Sequence, residues 1–132
     1  MSDPELAKAY VIWDEDYIYV MFDIKDTDVT VNDVDNPYLV DSTEFFLDED
    51  NSKPSAYTEG QDEIQVRIAA VDNAYSSNDT NTGNYELVAH AAKVTEGVGY
   101  QTQYIIKFNN KHESGDILGM DFQVNDCETI DL

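Results

Sequence analysis

A chain of 132 residues is long enough for one domain with a two-layer core, and a hydrophobic fraction of 42% argues against wholesale disorder. Twenty-eight acidic residues against seven basic ones give a net charge of −21. Such a surface repels nucleic-acid phosphates and anionic lipid, so neither nucleic acid nor membrane is expected as a partner, and it suits a solvated extracellular protein, a halophile's protein or a cation binder.

Along the chain the dominant period is two, and no long segment has helical periodicity. Ala7 to Trp13 reads as a strand, and Asp14-Glu15-Asp16 as the turn closing a hairpin onto Tyr17–Lys25. In that second strand Ile18, Val20, Phe22 and Ile24 share one face. Thr43, Phe45 and Leu47 form the next inward set, opposed by Glu44 and Phe46, and Ile64, Val66 and Ile68 alternate with Gln65 and Arg67. Tyr85–Val94 and Tyr100–Phe108 form a hairpin around Thr95-Glu96-Gly97-Val98-Gly99, and Leu118, Met120, Phe122 and Val124 alternate in a last strand. Seven strands with turn signals between them predict an all-β fold, an antiparallel β-sandwich of jelly-roll type, as a single domain over residues 1–132. Polar loops span 26–40, 48–61 and 72–84; loops of that length between short strands are functional or mobile. The longest apolar runs are a few residues, too short for a transmembrane helix. No basic start followed by an apolar stretch opens the chain, so no signal peptide is expected in it. Cys127, the single cysteine, excludes an internal disulfide and a CxxC site, and reads as a small half-buried hydrophobe.

Nothing in the sequence marks a catalytic centre. No pair of carboxylates stands out among so many acids, and neither GxSxG nor HExxH occurs, so the chain is expected not to be an enzyme. His112, in Asn109-Asn110-Lys111-His112, reads as an exposed turn residue; His90 reads as a strand residue sharing a face with Val88 and Ala92, with a packed role or a sugar contact both open to it. Asp26-Thr27-Asp28, Asp33-Val34-Asp35 and Asp48-Glu49-Asp50-Asn51 have spacing usable for calcium, although a solvated acidic loop explains each of them by spacing alone. The outward set of the middle strands is more informative. Glu44, Arg67 and Gln123 sit at the centres of their strands with Tyr38 at the rim, and planar bidentate groups beside an aromatic ring are what sugar hydroxyls and pyranose faces require. A surface Glu–Arg pair is the plainer alternative.

These residues also carry a resemblance. Val11-Ile12-Trp13-Asp14-Glu15-Asp16-Tyr17-Ile18-Tyr19-Val20, the stretch Asn36-Pro37-Tyr38-Leu39-Val40-Asp41-Ser42-Thr43-Glu44-Phe45-Phe46-Leu47-Asp48, then Glu63-Ile64-Gln65-Val66-Arg67 and Phe122-Gln123-Val124-Asn125-Asp126 resemble the family 9 carbohydrate-binding modules found appended to xylanases. The resemblance implies a calcium-containing β-sandwich that is tethered to a secreted glycoside hydrolase and binds plant cell-wall polysaccharide of the xylan or cellulose type. It implies Tyr38 as a stacking aromatic, Glu44, Arg67 and Gln123 as polar readers, and Asp48, Asp50 and Asp62 around one structural calcium. Two departures stand out: Tyr38 replaces a usual Trp, and the family's N-terminal strand and the C-terminal segment with a second aromatic and an Asn have no counterpart here. Trp13 belongs to the hairpin and does not replace that aromatic. Two rival readings make different demands. A structural or adhesive extracellular sandwich would take calcium and no sugar, and a haem-binding relative would need Met21 or Met120 paired with His90.

Overall fold

The structure, a computed structural model, describes residues 6–29, 40–53, 63–70, 75–77 and 86–127. Among these residues there are eight strands: β1 (Ala7–Trp13), β2 (Tyr17–Lys25), β3 (Ser42–Asp48), β4 (Glu63–Ala69), β5 (Tyr75–Ser77), β6 (Glu86–Thr95), β7 (Gly99–Lys107) and β8 (Gly119–Asn125). They form two four-stranded antiparallel sheets, sheet A in the order β1-β2-β7-β6 and sheet B in the order β5-β4-β3-β8. The expected sandwich is therefore present. The addition is β5, a three-residue edge strand paired with β4 inside a segment whose polarity reads as loop; its Ser residues give no alternation to detect.

Alternation determines which side chains meet between the sheets. Ile18, Val20, Phe22 and Ile24 of β2 and Tyr100, Tyr104 and Ile106 of β7 face Phe45, Leu47, Ile64, Val66 and Ile68 of sheet B, all of them buried. Phe22 lies edge-on to Phe122 at 5.8 Å, and Phe45 packs on both Phe122 and Tyr104. The β1–β2 turn forms as its sequence implies: Asp14 Oδ1 accepts the backbone N–H groups of Asp16 and Tyr17, an Asx turn that leaves little freedom of register. At the other hairpin Gly99 has φ +154°, and a Cβ there would collide with the carbonyl oxygen of Ile24, which explains the glycine that opens β7.

One polar cluster ties the two sheets through the core. The Thr43 hydroxyl lies 2.6 Å from both the Thr102 hydroxyl and the Tyr104 hydroxyl, and Tyr104 also donates to the Thr43 carbonyl. Tyr100 donates to the carbonyl of Ser42. Burial drives both phenol pKa values well above the ordinary tyrosine range.

Two outcomes follow. Tyr104→Phe leaves Thr43 short of partners and should lower the unfolding free energy in urea by about 1–3 kcal/mol without loss of the fold. A folded pKa above the unfolded value gives stability that is complete below about pH 10 and is lost as pH rises through the folded value. Stability should therefore fall on the alkaline side, with phenolate absorbance from Tyr100 and Tyr104 appearing only as the chain unfolds.

Candidate functional site

The register of sheet B places one carboxylate at a crossing of three strands. Glu44 on β3 lies directly opposite Arg67 on β4 and directly opposite Gln123 on β8. Three residues that alternation assigns to outward positions are thereby brought together. Although it sits on the outer face, Glu44 is only 1% exposed. Its Oε1 accepts from Gln65 Nε2 and from Arg67, each at 2.6 Å, and its Oε2 accepts from Gln123 Nε2 and Asn125 Nδ2, each at 2.8 Å. Gln123 Nε2 also donates to Asn125 Oδ1, and Asn125 Nδ2 to the Ser42 hydroxyl, which links the strands further.

Each Glu44 oxygen thus takes two donors, and its acceptor capacity is filled. Burial acts to raise its pKa, but the hydrogen bonds from Arg67, Asn125 and Gln65 outweigh burial and hold the carboxyl below its usual range. Gln65 and Asn125 complete this constellation but are absent from the set that sequence reasoning marks. Both share the parity of a marked residue, two positions from Arg67 and Gln123, which was the available signal. Phe46, half-buried, lies on the same face beside Gln65 and Asp121. Tyr38 lies outside the described residues.

A second constellation lies at the far end of the same pair of strands. Asp48 and Glu63 face each other directly in the β3–β4 register, and with Asp50 they bring carboxylate oxygens within 4.8 Å of one another. Like charges directly opposite on a sheet are destabilising on their own. Ser52 donates its hydroxyl to Glu63 Oε1, while Glu63 Oε2 is buried with no hydrogen-bond partner among the described residues. The loop that follows carries Asn51 and Lys53 at φ 55° and 56°, left-handed values uncommon for residues other than glycine. In that conformation Asp48 accepts the backbone N–H groups of Ser52 and Lys53, and hydrogen bonding from Ser52 lowers the pKa of Asp50. Asp48 and Asp50 meet as expected; Asp62 lies outside the described residues, and its neighbour Glu63 completes the group.

The remaining acidic stretches behave differently. The Asp26 carboxylate gathers with those of Asp41 and Asp126, at the ends of β2, β3 and β8, while Asp28 meets Asp26 through its backbone N–H. Asp33 and Asp35 lie outside the described residues. The histidines differ from their sequence reading. His112 is not an exposed turn residue: its side chain is 12% exposed, its ring lies edge-on to Phe108, and its nitrogens lie 2.9 Å from Glu49 Oε1 and 3.0 Å from Asp116 Oδ2. A bulge between Leu87 and Ala89 puts Val88 out in solvent, so His90 shares its face with Ala92 but not with Val88. No Met–His pair for haem forms, because Met21 lies on the outer face of sheet A, where His90 faces inward, and Met120 lies on the edge strand of sheet B remote from β6. Trp13 is on sheet A, away from Glu44.

Comparison with known proteins matches residues 2–131 to the family described as "Carbohydrate family 9 binding domain-like". The chain is 33% identical over 128 residues to "Exoglucanase XynX" of Acetivibrio thermocellus, covering 96% of this chain and 11% of that protein. It is 34% identical over 122 residues to "Endo-1,4-beta-xylanase A" of Thermotoga maritima, covering 92% and 11% respectively. It therefore spans about a tenth of the length of these curated relatives. Among solved structures, a family 9 carbohydrate-binding module from Caldicellulosiruptor kristjanssonii in complex with cellotriose superposes with a TM-score of 0.78 at 24% identity, over 97% of this chain and 63% of that one. A module from the same organism in complex with glucose gives a TM-score of 0.77 at 26% identity, over 93% and 60%.

The Glu44 geometry makes an outcome in acid testable. A folded pKa below the unfolded value gives stability that is present above about pH 4.3 and lost as pH falls through the folded value. Glu44→Gln should cost about 3 kcal/mol at neutral pH, the low end for a broken buried pair because Arg67 keeps 19% side-chain exposure. Urea unfolding of the variant should also lose part of the acid-side decline seen in the parent.

Proposed function

The chain belongs to the carbohydrate family 9 binding domain-like family and is a non-catalytic carbohydrate-binding module; from that premise we propose that it holds plant cell-wall polysaccharide of the xylan or cellulose type on the outer face of sheet B. The observation that carries the reading is the buried Glu44, whose four donors hold Arg67, Gln65, Gln123 and Asn125 around one carboxylate on the outer face of sheet B. Side chains fixed in this way meet sugar hydroxyls with little further loss of rotamer entropy. Because Glu44 has no acceptor site left, a hydroxyl reaches it only by displacing a donor; its main part is to orient Arg67 and Gln123, which do the reading. Tyr38 supplies the stacking surface, with Phe46 as an apolar ring beside the polar group. The names of the relatives, an exoglucanase and a xylanase, and the cellotriose and glucose in the solved modules support a gluco- or xylo-configured ligand. They also support a module tethered to a glycoside hydrolase and working outside the cell.

The same proposal includes one structural calcium held by Asp48, Asp50 and Glu63, with Asp62 adjacent in sequence. Hard cations take oxygen donors, and these three side chains offer carboxylate oxygens close together. Glu63 Oε2, buried with no hydrogen-bond partner among the described residues, suits a bound cation better than it suits a solvated loop. Bound there, the ion would relieve the Asp48–Glu63 opposition and pin the strained turn at Asn51 and Lys53.

Calorimetric titration with cello- and xylo-oligosaccharides tests the sugar face. Arg67→Ala should weaken binding by about 1.5–3 kcal/mol and Gln123→Ala by about 0.5–1.5 kcal/mol, each compared at a temperature where circular dichroism shows the variant folded. Unchanged affinity in both folded variants would move the ligand to another surface.

Calcium binding to the folded state adds about 2.7 kcal/mol at a hundredfold excess over Kd, so millimolar calcium should raise the melting midpoint by several degrees. Glu63→Gln should remove most of that rise. An equal rise from sodium chloride at matched ionic strength would mean charge screening rather than a site.

A further inference from the structure

The outer face of sheet A has a different chemistry from the rest of the molecule. In register across β1, β2, β7 and β6 it presents the rows Lys8–Asp23–Gln101–Lys93, Tyr10–Met21–Gln103–Ala91 and Ile12–Tyr19–Ile105–Ala89. Lys25 and Lys107 lie at its two ends. Four of the chain's seven basic residues therefore point from one sheet face, against Asp23. On the outer face of sheet B the balance reverses, with Glu44, Asp48, Glu63 and Asp121 against Arg67. In a chain with 28 acids, none of Lys8, Lys25, Lys93 and Lys107 makes an ion pair among the described residues.

Between the lysines the surface is aromatic and amide. Tyr10 is 48% exposed and Ile12 68%. Tyr17 and Tyr19 lie side by side with ring centroids 6.3 Å apart, and the Tyr19 hydroxyl is anchored on Asp14 Oδ2. Exposed Gln101 and Gln103 lie beside this aromatic strip on β7. Protein interfaces are depleted in lysine, whereas here lysines ring an aromatic strip.

We propose that this face is a second glycan-binding surface, and that it takes a β-linked polysaccharide bearing uronate side groups. Tyr10 and Tyr19 stack on sugar rings, Gln101 and Gln103 meet hydroxyls, and Lys8 and Lys93, at opposite edges of a four-stranded face about 14 Å wide, pair with carboxylates of the chain laid across it. The net charge of −21 does not prevent this. The acids of sheet B project from the opposite side of the sandwich, about 10 Å or more behind, so along the described strands of this face the charged side chains next to a ligand are the four lysines and Asp23. This surface is independent of the Glu44 face and does not share residues with it.

The test is titration of the protein with a glucuronate-substituted xylo-oligosaccharide and with its unsubstituted counterpart of equal length. The parent should bind the substituted sugar about fivefold more tightly, the scale of two exposed ion pairs. Lys8→Gln/Lys93→Gln should remove that excess with an unchanged melting midpoint, while folded Arg67→Ala should keep it, so failure here is separable from failure of the Glu44 face. Equal affinity for the two sugars, an excess that survives the double lysine variant, or an excess lost with Arg67→Ala would each overturn the proposal. Polyglutamate competing as well as the substituted sugar would reduce the face to a general anion surface, and self-association abolished by the lysine variant would make it a contact between copies; either result also overturns it.

Discussion

A carboxylate taken out of water must be matched by donors, and in this protein that requirement organises a whole sheet face. Glu44 at 1% exposure would be strongly unfavourable without partners, and five side-chain groups meet the demand in a connected set: Gln65, Arg67, Gln123 and Asn125 on the carboxylate, and Ser42 behind Asn125. The set crosses β4, β3 and β8, so it also fixes the register of the strands that carry it. Orientation of Arg67 and Gln123 follows from this satisfaction of charge. A preorganised polar cluster on a sheet face is what a non-catalytic carbohydrate-binding module needs, and no reactive group has to be poised within it.

The two sheets divide the work. Their inner faces meet in a core of aliphatic and aromatic side chains, with the Thr43–Thr102–Tyr104 hydroxyls and the Tyr100–Ser42 bond as polar links between the layers. Outside, sheet B concentrates acids and amides whereas sheet A carries lysines and tyrosines. Alternation allows this, because each strand can satisfy a common core with one parity and present unrelated chemistry with the other. The acidic excess gathers at strand ends and loops, where Asp48, Asp50 and Glu63 form one group and Asp26, Asp41 and Asp126 another.

Much of the fold was legible in the sequence because the buried strands alternate cleanly. In β2 the parity of Ile18, Val20, Phe22 and Ile24 matches burial residue for residue, and Asp14 declared the turn before it. The meeting of Glu44, Arg67 and Gln123 was legible for the same reason: outward parity at strand centres, once pairing is in register, leaves them nowhere else to be. Other features had no such signal. β5 is three residues of an edge strand in a polar segment. His112 in a run of polar residues gives no hint of Glu49, more than sixty positions away in sequence, which with Phe108 draws it out of solvent. Val88 continues the alternation of β6 in sequence, and only the bulge moves it to the other side. Glu63 reads as one more exposed acid until the register places it opposite Asp48.

The central claim is that sugar is read by the side chains gathered on Glu44. The most direct measurement follows the side-chain amide resonances of Gln65, Gln123 and Asn125 while cello- or xylo-oligosaccharide is added. Because these amides donate to one carboxylate and lie at the proposed contact, they should shift together, saturate at one affinity and move more than any amide on sheet A. Saturable binding that leaves all three unmoved would contradict the account.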